Sequence, residues 1–459
     1  MPMSSPRSVA SRVALAAGSA LLALLALLAL PAIAPAQGAP RPDADPRIQK
    51  LVASVSPDRL RAIVAKLESF GTRSTLSDTL SATRGIGAAR RWIYEEFKRS
   101  SPKLQVAFDR HPVAQGGRIT RDVDVVNVVA ILPGKSPRRV YISGHYDTVN
   151  LRGAMAAGSG GQPNHDVDAP GANDDGSGTA LTMELARVFA ESGIDFDATL
   201  VFITWAAEEQ GLIGSMAHAQ SLADAKGVVE ANFNNDIVGS SVGGSGIVDA
   251  ESVKIYSLGP EDSMSRSLAR YIARVAAVYV PSHTIRLMAR EDRFGRGSDH
   301  SSFTANNFPA VVFREANENY RRQHSADDKI EGMDFTYLAQ NARVNAAGAA
   351  SVALAPPAPG VLGDRGQPLI GRGQSGYDAD LRWSASSGAV AYRIYWRDAW
   401  ANDWQRSQVV GNVTQFALPN VSIDDYVFGV AAIGGDGSES LVSAYVSPNR
   451  PMQRIKMSR

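Results

Sequence analysis

The sequence predicts an α/β fold: a three-layer sandwich with a mixed, largely parallel central sheet flanked by helices, followed by a C-terminal all-β sandwich. Three observations predict it. Beyond residue 100, apolar β-type runs alternate with helical stretches. A Pro- and Gly-rich segment, APPAPGVLGDRGQPLIGRGQSG (355–376), then interrupts the pattern. After it come short alternating runs rich in Val, Tyr and Trp, separated by turns. A chain of 459 residues has room for two or three domains, and 44% hydrophobic with 20% charged residues is ordinary globular composition.

The N-terminus differs from the rest. MPMSSPRSVASR carries Arg7 and Arg12 and no acid, VALAAGSALLALLALLALPAIA is apolar without a charge, and small residues surround Ala34 and Ala36. That order is a secretory signal, so cleavage is expected near Ala36, with export to the periplasm or the medium and no membrane contact afterwards. The apolar run is also long enough to span a membrane as an uncleaved anchor, but the A-x-A site favours cleavage. The expected boundaries are 1–36 for the signal, 37–356 for the α/β domain, 357–376 for the linker and 377–459 for the β-sandwich.

The formal net charge of +1 gives no general basic field for nucleic acid or acidic membranes. Cysteine is absent, which excludes disulfides, a cysteine-linked lipid anchor and any thiolate metal site. A metal would have to use His, Asp and Glu.

PRPDADP (40–46) reads as a short linker. RIQKLVASVSPDRLRAIVAKLESFG and GIGAARRWIYEEFKRS (85–100) have helical apolar spacing. VDVVNVVAILPG and RRVYISGHYD look like neighbouring strands. GTALTMELARVFAESG is a helix with Leu181, Leu185 and Val188 on one side. ATLVFITWAAEEQGLIGSMAHAQSLA runs from a buried strand into a helix. VVEANFNNDIVG is strand-like, SMSRSLARYIARVAAVYV helical and FPAVVFRE a late strand. In such sheets the reactive residues belong on loops at strand ends.

Candidate metal ligands stand where strands end. SGHYDT gives His145 and Asp147, GANDDGSG gives Asp174 and Asp175, WAAEEQG gives Glu208 and Glu209, NNDIVG gives Asp236 and QHSADD gives His324. Each alone has an ordinary structural meaning. Asp174 and Asp175 suit a turn capping a helix, and Glu208 and Glu209 suit a solvated first helical turn. Five such motifs in series are harder to dismiss.

The series His-x-Asp, Asn-Asp-x-Gly-Ser-Gly, Glu-Glu, Asp after a strand and a late His resembles the secreted co-catalytic di-zinc aminopeptidases. That group includes bacterial leucyl aminopeptidases, glutamate carboxypeptidases and glutaminyl cyclases. The likeness covers about residues 60 to 350. It implies two Zn2+ per chain, one on His145 and Asp236, the other on Glu209 and His324, with Asp174 bridging. It implies Glu208 as general base and Asp147 as the carboxylate that orients His145. Asp175 falls where relatives often have Asn and is left unassigned.

Two features depart from the group. Gln323 stands where relatives often have a Tyr that stabilises the tetrahedral intermediate, and Tyr320 is a nearby candidate to substitute. The long loop NLRGAMAAGSGGQPNHDVDAPG adds His165 and Asp166, read as solvated residues near the site mouth. GRGSDHSSF (295–303) resembles part of the active-site wall. It offers Asp299 or His300 as substrate contacts, against the alternative of a capped turn. His111, His218 and His283 read as structural or surface residues.

The runs AYRIYWRD and DYVFGVAAIGGDGSES resemble a fibronectin type III domain. Such a tail suggests binding to a surface polysaccharide or large substrate, but packing on the first domain or acting as a spacer is the favoured reading. The leading functional expectation is an exopeptidase that removes N-terminal residues from peptides. A carboxypeptidase for acidic C-termini would need cationic groups, and Arg293, Arg296, Arg314, Arg321 and Arg322 are available in sequence. Glutaminyl cyclase ranks lower, because the two-metal ligand set is intact. An inactive exported binding protein would show damage in that set, and none is seen.

Overall fold

A computed structural model describes residues 44–446, so the expected signal segment lies outside the described residues. The first apolar-spaced stretch divides into α1 (Pro46–Ala53) and α2 (Pro57–Glu68). Each begins on a proline, behind Asp45 or Ser56, whose side chain accepts a backbone N–H of the first turn. Then follow α3 (Gly85–Ser100), β1 (Gln105–Val113), β2 (Val123–Leu132), β3 (Ser136–His145), α4 (Leu151–Ala156), α5 (Gly176–Glu191), β4 (Ala198–Trp205) and α6 (Ile213–Asp224). The α/β part continues with β5 (Val229–Asn235), β6 (Ser252–Ser257), α7 (Met264–Tyr279), β7 (Thr284–Met288), α8 (His300–Ala305), β8 (Ala310–Glu315) and α9 (Phe335–Leu354).

These strands make one eight-stranded sheet in the order β1-β2-β4-β3-β5-β8-β6-β7. Pairing is parallel from β4 through β3 and β5 to β8, and again between β6 and β7. It is antiparallel at β1–β2, β2–β4 and β8–β6. The strands β2 and β3, read as neighbours, are separated by β4. Their short connection crosses the start of β4: Lys135 N donates to Phe196 O and Ser136 N to Asp197 O. A Cβ on Gly134 would lie 2.3 Å from the Ala198 carbonyl, so only glycine fits that crossing.

Alternation along β4 builds the three layers. Leu200 and Phe202 join Leu181, Leu185 and Val188 of α5 in the core on one face. Val201, Ile203 and Trp205 point to the other face, where Ala219 and Leu222 of α6 and Phe303 of α8 meet them. Because β3, β4 and β5 run parallel, they finish at one edge, and the loops after His145, Trp205 and Asn235 come together there.

The C-terminal part contains β9 (Ile370–Gly371), β10 (Asp378–Arg382), β11 (Ala389–Asp398), β12 (Arg406–Val410), β13 (Gln415–Ser422), β14 (Tyr426–Gly434) and β15 (Ser443–Ala444). They form two antiparallel sheets, β13-β10-β9 and β12-β11-β14-β15, over a core that includes Leu381, Tyr392, Ile394, Leu418, Phe428 and Val430. This part docks on α7. Tyr271 Oη donates to Glu439 O (2.9 Å), Arg270 Nε donates to Asn402 O (2.7 Å), and Leu441 joins the core of the α/β part.

Candidate metal centre

The polar residues at the sheet edge meet in two groups. His145, Asp174 and Asp236 bring one donor atom each within 4.8 Å of one another, and so do Asp174, Glu209 and His324. Asp174 belongs to both. Its Oδ1 lies 3.3 Å from His145 Nε2 and its Oδ2 lies 3.1 Å from His324 Nε2, which is 3.3 Å from Glu209 Oε2. All but His324 are buried.

The donor set fits zinc: imidazole nitrogen and carboxylate oxygen, with a carboxylate shared between two positions. Glu209 Oε1 is buried without a hydrogen-bond donor, and Asp174 Oδ2 has only His324 Nε2, at 3.1 Å, which is costly unless a cation faces them. Burial and the neighbouring Asp174 and Glu208 push the Glu209 carboxyl well above its ordinary range. Burial pushes Glu208 up too, against His145 and with help from Asp236 and Asp299. For Asp174, burial is outweighed by the hydrogen bonds of His145 and His324, which hold its carboxyl well below the ordinary range. Cations would offset the crowding that raises the glutamates.

The turn carrying Glu208 and Glu209 is held by side chains at every backbone amide from 206 to 209. Ala206 N donates to Asn127 Oδ1 (3.0 Å) and Ala207 N to Thr75 Oγ1 (3.1 Å). Glu208 N and Glu209 N donate to the two oxygens of Asp147, at 3.1 and 3.3 Å. Asp147 was expected to orient His145 through its carboxylate. Instead His145 Nδ1 donates to the Asp147 backbone carbonyl (3.0 Å), and the carboxylate, 3.7 Å away, serves the Glu-Glu turn. Glu208 and Glu209 do not start a helix: α6 begins only at Ile213. Asn127 closes the turn by also donating to Gly214 O, and a Cβ on Gly214 would sit 2.3 Å from Asn127 Oδ1.

Asp175 braces the ligand-bearing segments. Its carboxylate accepts His145 N (3.0 Å), Gly178 N (2.8 Å) and Ile237 N (3.2 Å), joining the ends of β3 and β5 to the start of α5. Burial pushes its carboxyl well up. Asp328, four residues past His324, accepts Asp174 N (2.8 Å) and Asn173 N, and burial raises its carboxyl to about 7. Neither role is marked by a motif. Asn127, by contrast, is a fully buried amide inside the apolar run VDVVNVVAIL, and that interruption is visible in sequence.

Asp236 is gripped from behind by Arg314, a fully buried guanidinium whose Nη1 lies 2.9 Å from Asp236 Oδ1 and whose Nη2 lies 3.0 Å from Asp292 Oδ2. Burial raises the Asp236 carboxyl, but Arg314 more than reverses it. Replacing Arg314 by Met would leave buried Asp236 without its guanidinium and Asp292 with only Arg293, 3.2 Å away. The Arg314→Met protein is expected to lose about 3–5 kcal/mol of stability. Urea unfolding measures this, and a loss below about 1 kcal/mol, the range of a surface pair, would show that the pair is not needed.

The cleft over these groups is lined by Arg118, Asp174, Glu208, Glu209, Asp236, Arg293, Arg296 and His324, with glycines 211, 295 and 297. A larger cavity of about 530 Å³ lies away from it, between α1, α7 and the C-terminal sheets. Its acids, Asp45, Asp436 and Glu439, form neither of the two donor groups found among the described residues, so the chemistry belongs to the smaller cleft.

None of the four expected substrate contacts lines the cleft. Asp299 and His300 are fully buried behind it, because the turn before α8 points inward and His300 Nε2 donates to Glu291 O (2.9 Å). Gln323 is taken by Arg296 and Glu318, and Tyr320 is exposed with the Arg296 guanidinium over its ring. Arg118, Arg293 and Arg296 stand there instead. Of the remaining expected arginines, Arg314 is internal, while Arg321 and Arg322 line a separate depression. His165 contacts Thr120, and Asp166 accepts the Asp78 amide. His111 and His218 both reach Asp109, and His283 reaches Asn341.

Residues 127–349 match a family model described as peptidase family M28. The matched stretch supplies every candidate ligand. A protein of Pyricularia oryzae named "Probable zinc metalloprotease" is 38% identical over 440 residues, covering 87% of this chain and 84% of that one. Another so named, from Leptosphaeria maculans, is 36% identical over 438 residues, covering 88% and 97%. Such coverage continues past residue 349, so the similarity reaches into the C-terminal strands. Among solved structures, the LapA aminopeptidase of Legionella pneumophila aligns with a TM-score of 0.53 at 21% identity, over 69% of this chain and 78% of that one. At that identity the likeness concerns the fold.

Proposed function

The chain belongs to peptidase family M28 and is a zinc-dependent metallopeptidase, and from that premise we propose that it is an exported exopeptidase releasing N-terminal residues from peptides. The observation that carries the two-metal part of this reading is Asp174, shared by both donor groups. His145 and Asp236 would hold one zinc, Glu209 and His324 the other, with Asp174 between. Bound there, the pair would acidify a water and polarise the scissile carbonyl.

The chain's own groups supply the rest. Glu208 lines the cleft, belongs to neither donor group and has its backbone fixed by Asp147. It takes the proton from the attacking water and returns it to the leaving amine. Every acid lining the cleft is a metal donor or the base, so the substrate's α-ammonium would be held by an oxygen of those same carboxylates, which aligns the first peptide bond.

A second reading, a carboxypeptidase, is favoured by Arg118 and Arg296 on the cleft wall, since guanidinium pairs with a terminal carboxylate. The order of residues 1–36 supports export, and no described helix is long and apolar enough to cross a membrane. The three- and four-stranded sheets support a fibronectin type III-like reading of the C-terminal part. Its hydrogen bonds to α7 support a packing role ahead of surface binding.

The test compares a leucine-starting peptide with its N-acetylated twin on zinc-loaded protein. Release of leucine from the free peptide alone is the expected result. C-terminal cleavage of both would establish the second reading, and cleavage of neither would count against both.

A further inference from the structure

We propose that Arg118 and Arg296 form a carboxylate-binding subsite beside the metal groups, so that preferred substrates are short peptides with a carboxylate next to the scissile bond. This rests on the two-zinc exopeptidase reading above.

Arg118 comes from the loop between β1 and β2. Its Nη1 donates to the Glu209 backbone carbonyl (2.9 Å), which fixes the guanidinium at the cleft wall. The side chain is exposed, and among the described residues no acidic group lies within 4.0 Å of it. Its remaining N–H groups are available to a ligand. Arg296 comes from the turn before α8. Its Nη2 donates to Gln323 Oε1 (3.2 Å), and its nearest acid, Glu318, is 3.9 Å away. It is 32% exposed. Arg293 differs: it is committed to Glu318 at 2.6 Å and Asp292 at 3.2 Å, and only 8% exposed.

Charge makes the case. Four carboxylates line the cleft, those of Asp174, Glu208, Glu209 and Asp236. Two zinc ions would offset them, and Asp236 already has Arg314 behind it. Arg118 is then a positive group without a matching acid, and Arg296 shares one distant acid, Glu318, with the closer Arg293, at a mouth where a peptide must enter. Arg118 touches a carbonyl and not the Glu209 carboxylate, so balancing the metal ligands does not explain it. A planar guanidinium held in place loses little freedom on binding, and a substrate carboxylate is its geometric complement. That carboxylate has two possible sources, the side chain of an acidic residue after the cleaved bond or the C-terminus of a dipeptide.

Matched pairs separate the sources. Leu-Asp-Ala-amide is compared with Leu-Asn-Ala-amide, and Leu-Gly with Leu-Gly-amide, so that each pair differs in one negative charge. On the zinc-loaded protein, the acid member of at least one pair is expected to have a kcat/KM about tenfold higher, the scale of one charge-assisted contact. The pair that responds names the source. Arg118→Gln and Arg296→Gln are each expected to bring that ratio close to one, and Arg321→Gln, in the separate depression, to preserve it. Equal values within both pairs would overturn the subsite. Calorimetric binding of the same peptides to the zinc-loaded Glu208→Gln protein reads the preference without turnover. Tighter binding of an acid member with no cleavage by the unaltered protein would keep the subsite and remove the exopeptidase reading. Equal affinities would overturn the subsite whatever is cleaved.

Discussion

A Glu208→Gln protein is expected to bind zinc as the unaltered chain does and to lose turnover about a thousandfold, within the range that a positioned general base contributes. The geometry separates the two properties. Glu208 shares the cleft with the donor groups but supplies an atom to neither. Its backbone amide is held by Asp147 Oδ1 at 3.1 Å, a contact that glutamine at this position leaves intact. Glutamine also keeps the length and shape of the side chain. What disappears is the ability to accept a proton. Elemental analysis gives the zinc content, and kcat/KM on a leucine peptide gives the rate. A zinc-loaded Glu208→Gln protein within tenfold of the unaltered rate would remove Glu208 from proton transfer.

The same turn shows which parts of the site were legible in the sequence. His145, Glu208, Glu209 and Asp236 were visible because each closes an apolar run and Asp174 because it precedes a helix, while His324, in a polar stretch, was reached only through the resemblance of the motif series. The groups holding them were not visible, although Asn127 could be noticed as an amide interrupting an apolar run. Thr75 and Asn127 reach the turn from distant segments, and their partners are backbone amides, which carry no residue signature. Asp175 was left unassigned because relatives often have Asn there, yet its carboxylate joins three segments. Gly178 belongs to that role as well, since a Cβ there would lie 2.4 Å from Asp175 Oδ2.

Strand order was equally hidden. Nothing local in β2 and β3 states that β4, more than fifty residues later, lies between them. The turn at 295–303 shows a further limit. Its polar residues suggested a wall facing substrate, but Asp299 and His300 turn inward while Arg296 lines the cleft. Composition identifies a polar turn, but long-range packing decides which of its side chains face out.

The second large effect is expected at Asp174. Asp174→Ala removes the carboxylate common to both donor groups, leaving His145 with Asp236 and Glu209 with His324 as separate pairs. Two protein donors are too few for a four-coordinate zinc site, so zinc content is expected to fall below one ion per chain and activity by about ten-thousandfold. Stability gives a readout independent of turnover. Zinc at a hundred times its dissociation constant would stabilise the unaltered protein by about 2.7 kcal/mol for each site, and the Asp174→Ala protein is expected to show almost none of that gain. The metal-free forms should behave differently. Glu209 is raised by Asp174 beside it, so removing one crowded carboxylate relieves repulsion, while the hydrogen bonds from the two histidines are lost. These effects oppose one another, and the metal-free variant is expected to unfold within about 1 kcal/mol of the unaltered chain. Full zinc content in Asp174→Ala would mean that Asp174 is not the bridging group. Failure of the metal-free variant to fold would instead place Asp174 among the residues that build the sheet edge, as Asp175 does.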